Sequence, residues 1–343
     1  MNTIIDQSFA SIELGAPQVH QNIVVFPIIN PSHNAAHWLT LGEALEQQLL
    51  TVTEVSHGGS VPELAVINRA DRPVLLLDGE ELIGAKQNRV LNTTILLKEH
   101  SETVVPVSCT EHGRWSYVSA AFADSKMLMA HRARAHKSRS VSESLAASAG
   151  YKSDQGEVWE EIALLHSSGG TSSPTGAMRD AYKARERELD QCTAAFTAVP
   201  GQTGLLVVID DQVAGFDLIP HPEIYAQQHT KLVKSYLIDS IAQSNPRAGN
   251  PDAAGVRAAE FLHGAAECPV RKFPSIGYGT DCRYRSVTQP STTTPQPSTI
   301  CGSALVHEDQ IVHAAFFSIT NESNPAHETT MRPLAWRKRR HTE

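Results

Sequence analysis

Strand-forming and helix-forming stretches follow one another in blocks along this chain, and that order limits its fold more than any other feature. The first third holds apolar, β-branched runs at 19–29, 63–68, 73–77, 90–97 and 103–108, each bounded by turn residues, with room for a short helix over 38–50. The middle is helical. Asp154 is placed to cap a helix through His166, with Val158, Ile162 and Leu165 on one face, and 176–196 reads as a second helix. A hairpin over 205–219 turns at Asp210-Asp211, Pro222 opens a helix to about Ile241, and 251–266 forms another. Strands return at 270–273, 282–286, 300–307 and 311–317. Strands and helices that come in blocks do not build a doubly wound parallel sheet. The expected class is α+β: a β-rich, mainly antiparallel half packed against a helical layer. We expect one domain over 1–320, β-rich to 120, helical over 121–200 and mixed beyond. The Thr/Ser/Pro-rich stretch 288–298 reads as a mobile loop, and the tail 321–343, with its Arg337-Lys338-Arg339-Arg340 run, as disordered.

Charge and cysteine usage narrow the function classes. The formal net charge of -8 argues against a general nucleic-acid binder, which needs clustered Lys and Arg on phosphates. The basic run His131–Arg139 reads more readily as a solvated face or loop than as a polyanion site. No stretch reaches the roughly 18 consecutive apolar residues of a spanning helix, and no basic-then-apolar secretory signal opens the chain. Cysteines number five, an odd count without a C-x-x-C pair, which fits a reducing compartment better than a disulfide framework or zinc knuckle. The expected location is cytoplasmic. None of the sixteen His falls in an H-E-x-x-H motif, so no metal site is expected, and no cofactor can be named.

Two polar clusters stand out. Residues 78–89 place Asp78, Glu80, Glu81, Lys86, Gln87, Asn88 and Arg89 between two apolar strands, with Gly79 and Gly84 allowing unusual backbone angles. A simple turn needs none of this; carboxylates beside fixed cations suit acid/base work, and Arg and Lys suit phosphate or carboxylate. The competing reading is a loop whose charges pair with one another. Residues 109–115 bring Cys109, Glu111, His112, Arg114 and Trp115 directly after the next strand. Antiparallel pairing of 90–97 with 103–108 puts Lys86–Arg89 and Cys109–Arg114 at one end, which makes the two clusters one candidate site. Cys109 is a nucleophile candidate only if a neighbouring cation lowers its pKa; a buried inert thiol is the commoner case. Trp115 suits stacking on a ring and core packing about equally. Gly215-Phe216-Asp217 reads evenly as a bulge or as a site for Asp217, and Gly277-Tyr278-Gly279 is too short for a phosphate loop.

At these residues the chain resembles the ARG and Rhodanese-Phosphatase-superfamily-associated protein domain family, ARG meaning ADP-ribosylglycohydrolase. The resembling stretches are DGEELIGAKQNRVLNTTILL, VPVSCTEHGRW and GLLVVIDDQVAGFDLI, within about 19–317. Asp211 departs from the Gly expected in that hairpin turn. The resemblance implies a link to NAD, ADP-ribose or nucleotide metabolism and no particular reaction.

Three functional readings follow. In the first, an enzyme of hydrolase or transferase type acts on a nucleotide-like ligand, with Glu81 and Glu111 as acid/base groups. Cys109 is then a possible nucleophile; Lys86, Arg89 and Arg114 hold an anion, Gln87 and Asn88 orient it, and Asp78, Glu80 and Trp115 complete the binding set. In the second, the same surface is a non-catalytic module that senses such a small molecule for a partner enzyme. In the third, the clusters are a salt-bridged structural corner.

Overall fold

The computed structural model describes residues 9, 11–29, 37–56, 62–241, 248–287 and 298–320; the expectations for 288–297 and 321–343 lie outside the described residues. The chain begins with β1 (Glu13–Leu14), β2 (Gln18–His20), β3 (Ile23–Ile29), β4 (Leu39–Thr40), α1 (Leu41–Glu46), β5 (Leu50–Glu54), β6 (Glu63–Asn68) and β7 (Val74–Leu76). It continues through β8 (Glu80–Gly84), β9 (Arg89–Leu91), β10 (Ile95–Leu97), β11 (Ser101–Cys109) and β12 (Phe122–Leu128). Next come α2 (His131–Ala146), α3 (Gln155–Ser168), α4 (Met178–Ala184), α5 (Glu186–Thr193), β13 (Gln202–Ile209), β14 (Gln212–Leu218), α6 (Pro222–Ser240) and α7 (Pro251–Ala266). The last strands are β15 (Val270–Pro274), β16 (Thr280–Val287), β17 (Ser298–His307) and β18 (Gln310–Thr320).

A nine-stranded sheet runs β1-β3-β13-β14-β18-β17-β16-β15, with β2 beside β3. Strands from both ends of the chain therefore meet in one sheet. Successive side chains along a strand face opposite sides. Ile23 and Val25 of β3, Leu205 and Val207 of β13 and Phe317 of β18 enter one core with Leu232, Val233 and Tyr236 of α6. Val24, Phe26, Leu206, Phe216 and Phe316 enter the other, against Ala254, Ala258 and Phe261 of α7. Burial on both faces is why these strands read as continuous apolar runs.

The second half is a six-stranded sheet in the order β12-β8-β9-β11-β6-β5, with a small sheet β10-β7-β4 beside it. Its two edge strands, β12 and β5, lie against each other, so the sheet curls back on itself. A third core fills it, from Leu50, Val52, Leu64, Leu82, Leu91 and Val107 among others. Apart from the parallel pair β4–β7, every strand pairing among the described residues is antiparallel, and the fold is the expected α+β. No helix among the described residues is long and apolar enough to cross a membrane.

Several boundaries differ from the sequence reading. The run 90–97 is two strands: β9 pairs with β11, while β10 pairs with β7. Asn92, Thr93 and Thr94 break it: Asn92 still bonds to Ser108 of β11, while Thr93 and Thr94 turn away to Asp281 and to the Asp78 amide. The helix expected over 176–196 is interrupted at Arg185, whose φ of -115 leaves the helical region; its guanidinium instead caps the carbonyls of Gly169 and Ile241. The basic run His131–Arg139 is not a loop, and only part of it, Arg132 with the partly exposed His136 and Arg139, faces solvent. It opens α2, and Arg134 and Lys137 are fully buried. Gly215-Phe216-Asp217 does follow a bulge, a register shift between Val207 and Val208 that skips Ala214. The Asp210-Asp211 turn holds both residues at positive φ, 49 and 62, where Asp is tolerated.

Candidate functional site

Cys109 pairs with Arg89 in the β9–β11 register, so the two clusters do meet at one end of the curled sheet. The Arg89 guanidinium is wholly buried. Its Nη1 donates to Gln87 Oε1 at 3.0 Å and lies 3.0 Å from Cys109 Sγ; its Nη2 stands 3.8 Å from Glu54 Oε1 on β5. Trp115 lies over it, the ring centre 5.9 Å from Cζ. Lys86 Nζ is 5.1 Å from the Trp115 ring centre and 5.2 Å from that of Tyr117. Trp115 is 51% exposed and Tyr117 49%, with Val118 beyond them at 66%. The result is a surface of two half-open aromatic faces with a cation between them.

Glu111 and Arg114 form the frame of that surface. Arg114 Nε and Nη2 donate to Glu111 Oε2 at 2.9 and 2.5 Å, and Nη1 donates to the carbonyls of Ala85 and Ser116. The Asn88 amide also donates to Glu111 Oε2, and Thr175 Oγ1 donates to Oε1 at 2.8 Å. Burial pushes the Glu111 carboxyl up, but the Arg114 and Thr175 hydrogen bonds outweigh it and hold the group below the usual carboxylate range. Burial raises the Cys109 thiol, and Arg89 offsets this only in part. Gln155 ties the Cys109 backbone at both its amide and its carbonyl.

The acidic residues of β8 divide between two sets of partners. Neighbours along a strand point to opposite faces, so Glu80 and Glu81 part company. Glu80 meets Lys231 of α6 at 2.9 Å, and Lys231 also meets Asp124 at 3.0 Å. Glu81 accepts from Thr110 Oγ1 at 2.7 Å. Its Oε2 has no donor in bonding geometry, although the Ser125 hydroxyl is near enough to favour the ionised form. Burial dominates and pushes the Glu81 carboxyl up to about 7.

Asp78 joins a different assembly, sealed between the nine-stranded sheet and the second half. It is ion-paired with Lys137, whose Nζ also donates to the Leu91 carbonyl at 2.9 Å. One turn of α2 earlier, Arg134 makes a two-pronged bond to Asp217 at 2.7 and 3.1 Å. Tyr236 and His313 complete the Asp217 shell, and His313 Nδ1 is bonded to Thr94. Arg283, Asp281 and Thr93 form a neighbouring triad. Gly79, at φ 88, lets the chain pass here: a Cβ would stand 2.9 Å from Arg134 Nε.

A groove of about 540 Å³ lies between α2 and α3, lined by Arg139, Glu143, Asp154 and Glu157 among others. Arg139 and His136 are paired with Glu157 there, and none of the aromatic residues above lines it. Among the described residues no group of three or more His, Cys, Asp or Glu is placed to hold a metal ion.

The family model for the ARG and Rhodanese-Phosphatase-superfamily-associated Protein domain matches residues 11–317. The chain belongs to this family. No curated protein and no solved structure matches it. The match takes in both the curled sheet with its aromatic surface and the sealed polar assembly. Of the residues singled out from sequence, Lys86, Gln87, Asn88, Arg89, Cys109, Glu111, Arg114 and Trp115 come together in this family member. Asp78 and Glu80 turn inward on other partners, Lys137 and Lys231, while Glu81 is buried and joined to the cluster through Thr110. Glu54, Tyr117 and Gln155 belong to the cluster and were missed. Glu54 closes the alternating run Leu50-Thr51-Val52-Thr53-Glu54, and only the curl of the sheet reveals that it reaches Arg89.

Proposed function

We propose that this protein binds a nucleotide-like ligand, ADP-ribose-like or NAD-related, on the Trp115–Lys86–Tyr117 surface, and that it does so as a ligand-sensing module in the cytoplasm. The observation that carries the reading is the Lys86 ammonium set between two half-exposed aromatic rings, with Arg89 beneath one of them. An aromatic face takes any base, and an adjacent cation takes phosphate. The family's name, with its ADP-ribosylglycohydrolase association, supports the same ligand class. Five free, buried cysteines suit a reducing compartment.

Binding is favoured over catalysis by the state of the carboxylates. Glu111 already accepts four hydrogen bonds and is held ionised by Arg114, so it is engaged as a brace for the loop. Glu81 is fully buried, its carboxylate bonded to the Thr110 hydroxyl. Cys109 is buried with its thiol pushed up, the state of an unreactive cysteine. Fluorescence tests the reading. ADP-ribose, NAD and AMP titrated into the protein should quench the Trp115 emission, and Trp115→Ala should abolish that change without moving the melting temperature. Unchanged emission and melting of the wild type with all three at millimolar concentration would overturn it.

A further inference from the structure

Beneath Trp115 lies a pair of buried charges that do not complete their own hydrogen bonds. The Glu54 side chain is 4% exposed and the Arg89 side chain 0%. Arg89 Nε and Nη2, and Glu54 Oε1 and Oε2, are all buried without a hydrogen-bond partner. A guanidinium and a carboxylate free to settle close to about 2.8 Å, often in a two-pronged pair. Here the nearest atoms stand 3.8 Å apart. Arg89 is held back by Gln87 and Cys109 on Nη1, and Glu54 is fixed by its place at the end of β5. Buried polar atoms in native folds are nearly all hydrogen-bonded, so four unbonded ones at one spot call for an explanation, and a polar ligand group is one.

The chemistry of the pair selects that occupant. A free anion meets the Glu54 carboxylate and a free cation meets Arg89, so the site favours a neutral group that both accepts and donates. A hydroxyl does this. Its oxygen accepts from Arg89 at about 2.9 Å and its proton goes to Glu54 at about 2.7 Å; a tetrahedral angle at that oxygen sets the two partners about 4.5 Å apart, so the pair opens by roughly 0.7 Å as the hydroxyl enters. Two adjacent hydroxyls match the two unbonded nitrogens and the two unbonded carboxylate oxygens. Acidic side chains read ribose hydroxyls in this way in dinucleotide-binding folds of other architecture.

We propose that Glu54 and Arg89 form a slot for the vicinal hydroxyls of a ribose, roofed by Trp115. The inference rests on the nucleotide reading above and deepens it: the base stacks on the Trp115 face, phosphate lies on Lys86, and the sugar diol enters between Glu54 and Arg89. Trp115 covers the guanidinium, so the ring lifts as the sugar enters.

Two probes separate this inference from the stacking reading. Ribose 5-phosphate carries the diol and no base; 2-deoxyribose 5-phosphate lacks one hydroxyl. By calorimetry the wild type should bind the first at least about tenfold more tightly than the second, the loss expected for one charge-assisted hydrogen bond. Glu54→Leu removes both acceptors and should bring the two sugars to equal, weak affinity. Glu54→Gln serves as the second variant if Leu disturbs folding, with the same direction expected. AMP against 2′-deoxy-AMP should show the same preference. Equal binding of ribose and deoxyribose forms by the wild type overturns the diol slot while leaving AMP quenching of Trp115, and so the stacking reading, intact. Failure of ribose 5-phosphate to bind at all also overturns it, and means that the gap holds a resident water only. No response to AMP or to either sugar phosphate overturns both readings together.

Discussion

Asp217 occupies a position on β14 where its cross-strand neighbours, Leu205 and Ala315, are core residues, so an aspartate there must find its own counter-charge. It finds Arg134, with Tyr236 and His313. Burial alone would raise its carboxyl, but Arg134 and His313 outweigh that and hold it far below the usual range. Asp217→Asn would strand the buried Arg134 charge and should cost about 3–5 kcal/mol in urea unfolding; a loss under about 1 kcal/mol would show that the pair is not the anchor of the seam. Glu81 has the opposite sign. Its folded-state carboxyl is raised from 4.5 to about 7, so the folded protein holds this proton more tightly than the unfolded chain. Stability tied to the neutral form is complete below about pH 4.5 and falls by about 3 kcal/mol as the pH climbs to about 7. Glu81→Gln keeps a neutral group throughout. Relative to wild type it should gain about that much stability between pH 4.5 and 7.5; a difference that stays constant across that window contradicts the assignment.

At the scale of elements, the helices with clear start signals were legible in the sequence. Asp154 and Asn250 cap α3 and α7 through their side chains, and Pro222 and Pro251 sit in the first turns of α6 and α7. The short helix near 38–50 is α1, set by the Thr40–Glu43 capping box. What stayed hidden were elements whose residues are polar because they bond to distant partners. Glu80 and Glu81 lie in a strand, not a loop, and Arg134 and Lys137 lie on the buried face of α2; their spacing of three along a helix was the available clue. The candidate site was legible as a meeting of Arg89 with Cys109, since antiparallel register decides that. Its Glu54 was not, because it arrives from the far edge of a curled sheet. Gly277-Tyr278-Gly279 belongs to this scale too. Tyr278 donates its amide to the Leu96 carbonyl at 2.8 Å, and a Cβ on Gly277 would fall 2.0 Å from that same oxygen. Gly277→Ala must push the loop off β10 and should cost roughly 1–3 kcal/mol in thermal or urea unfolding; a neutral variant would mean that this docking contributes nothing.

On the scale of the whole molecule, the nine-stranded sheet takes strands from both ends of the chain, and the Asp78–Lys137 and Arg283–Thr93 contacts tie it to the second half. We therefore propose that residues 11–320 unfold as one unit. Urea transitions followed by tryptophan emission and by far-ultraviolet dichroism should coincide; separated midpoints would divide the chain into two domains. The most direct measurement of the central claim is a calorimetric titration of ADP-ribose into the wild type and into Trp115→Ala. The account predicts saturable binding to the wild type, weakened by about 1–3 kcal/mol in a variant that melts at the same temperature. Equal affinity in the two proteins, or no heat in either, would contradict it.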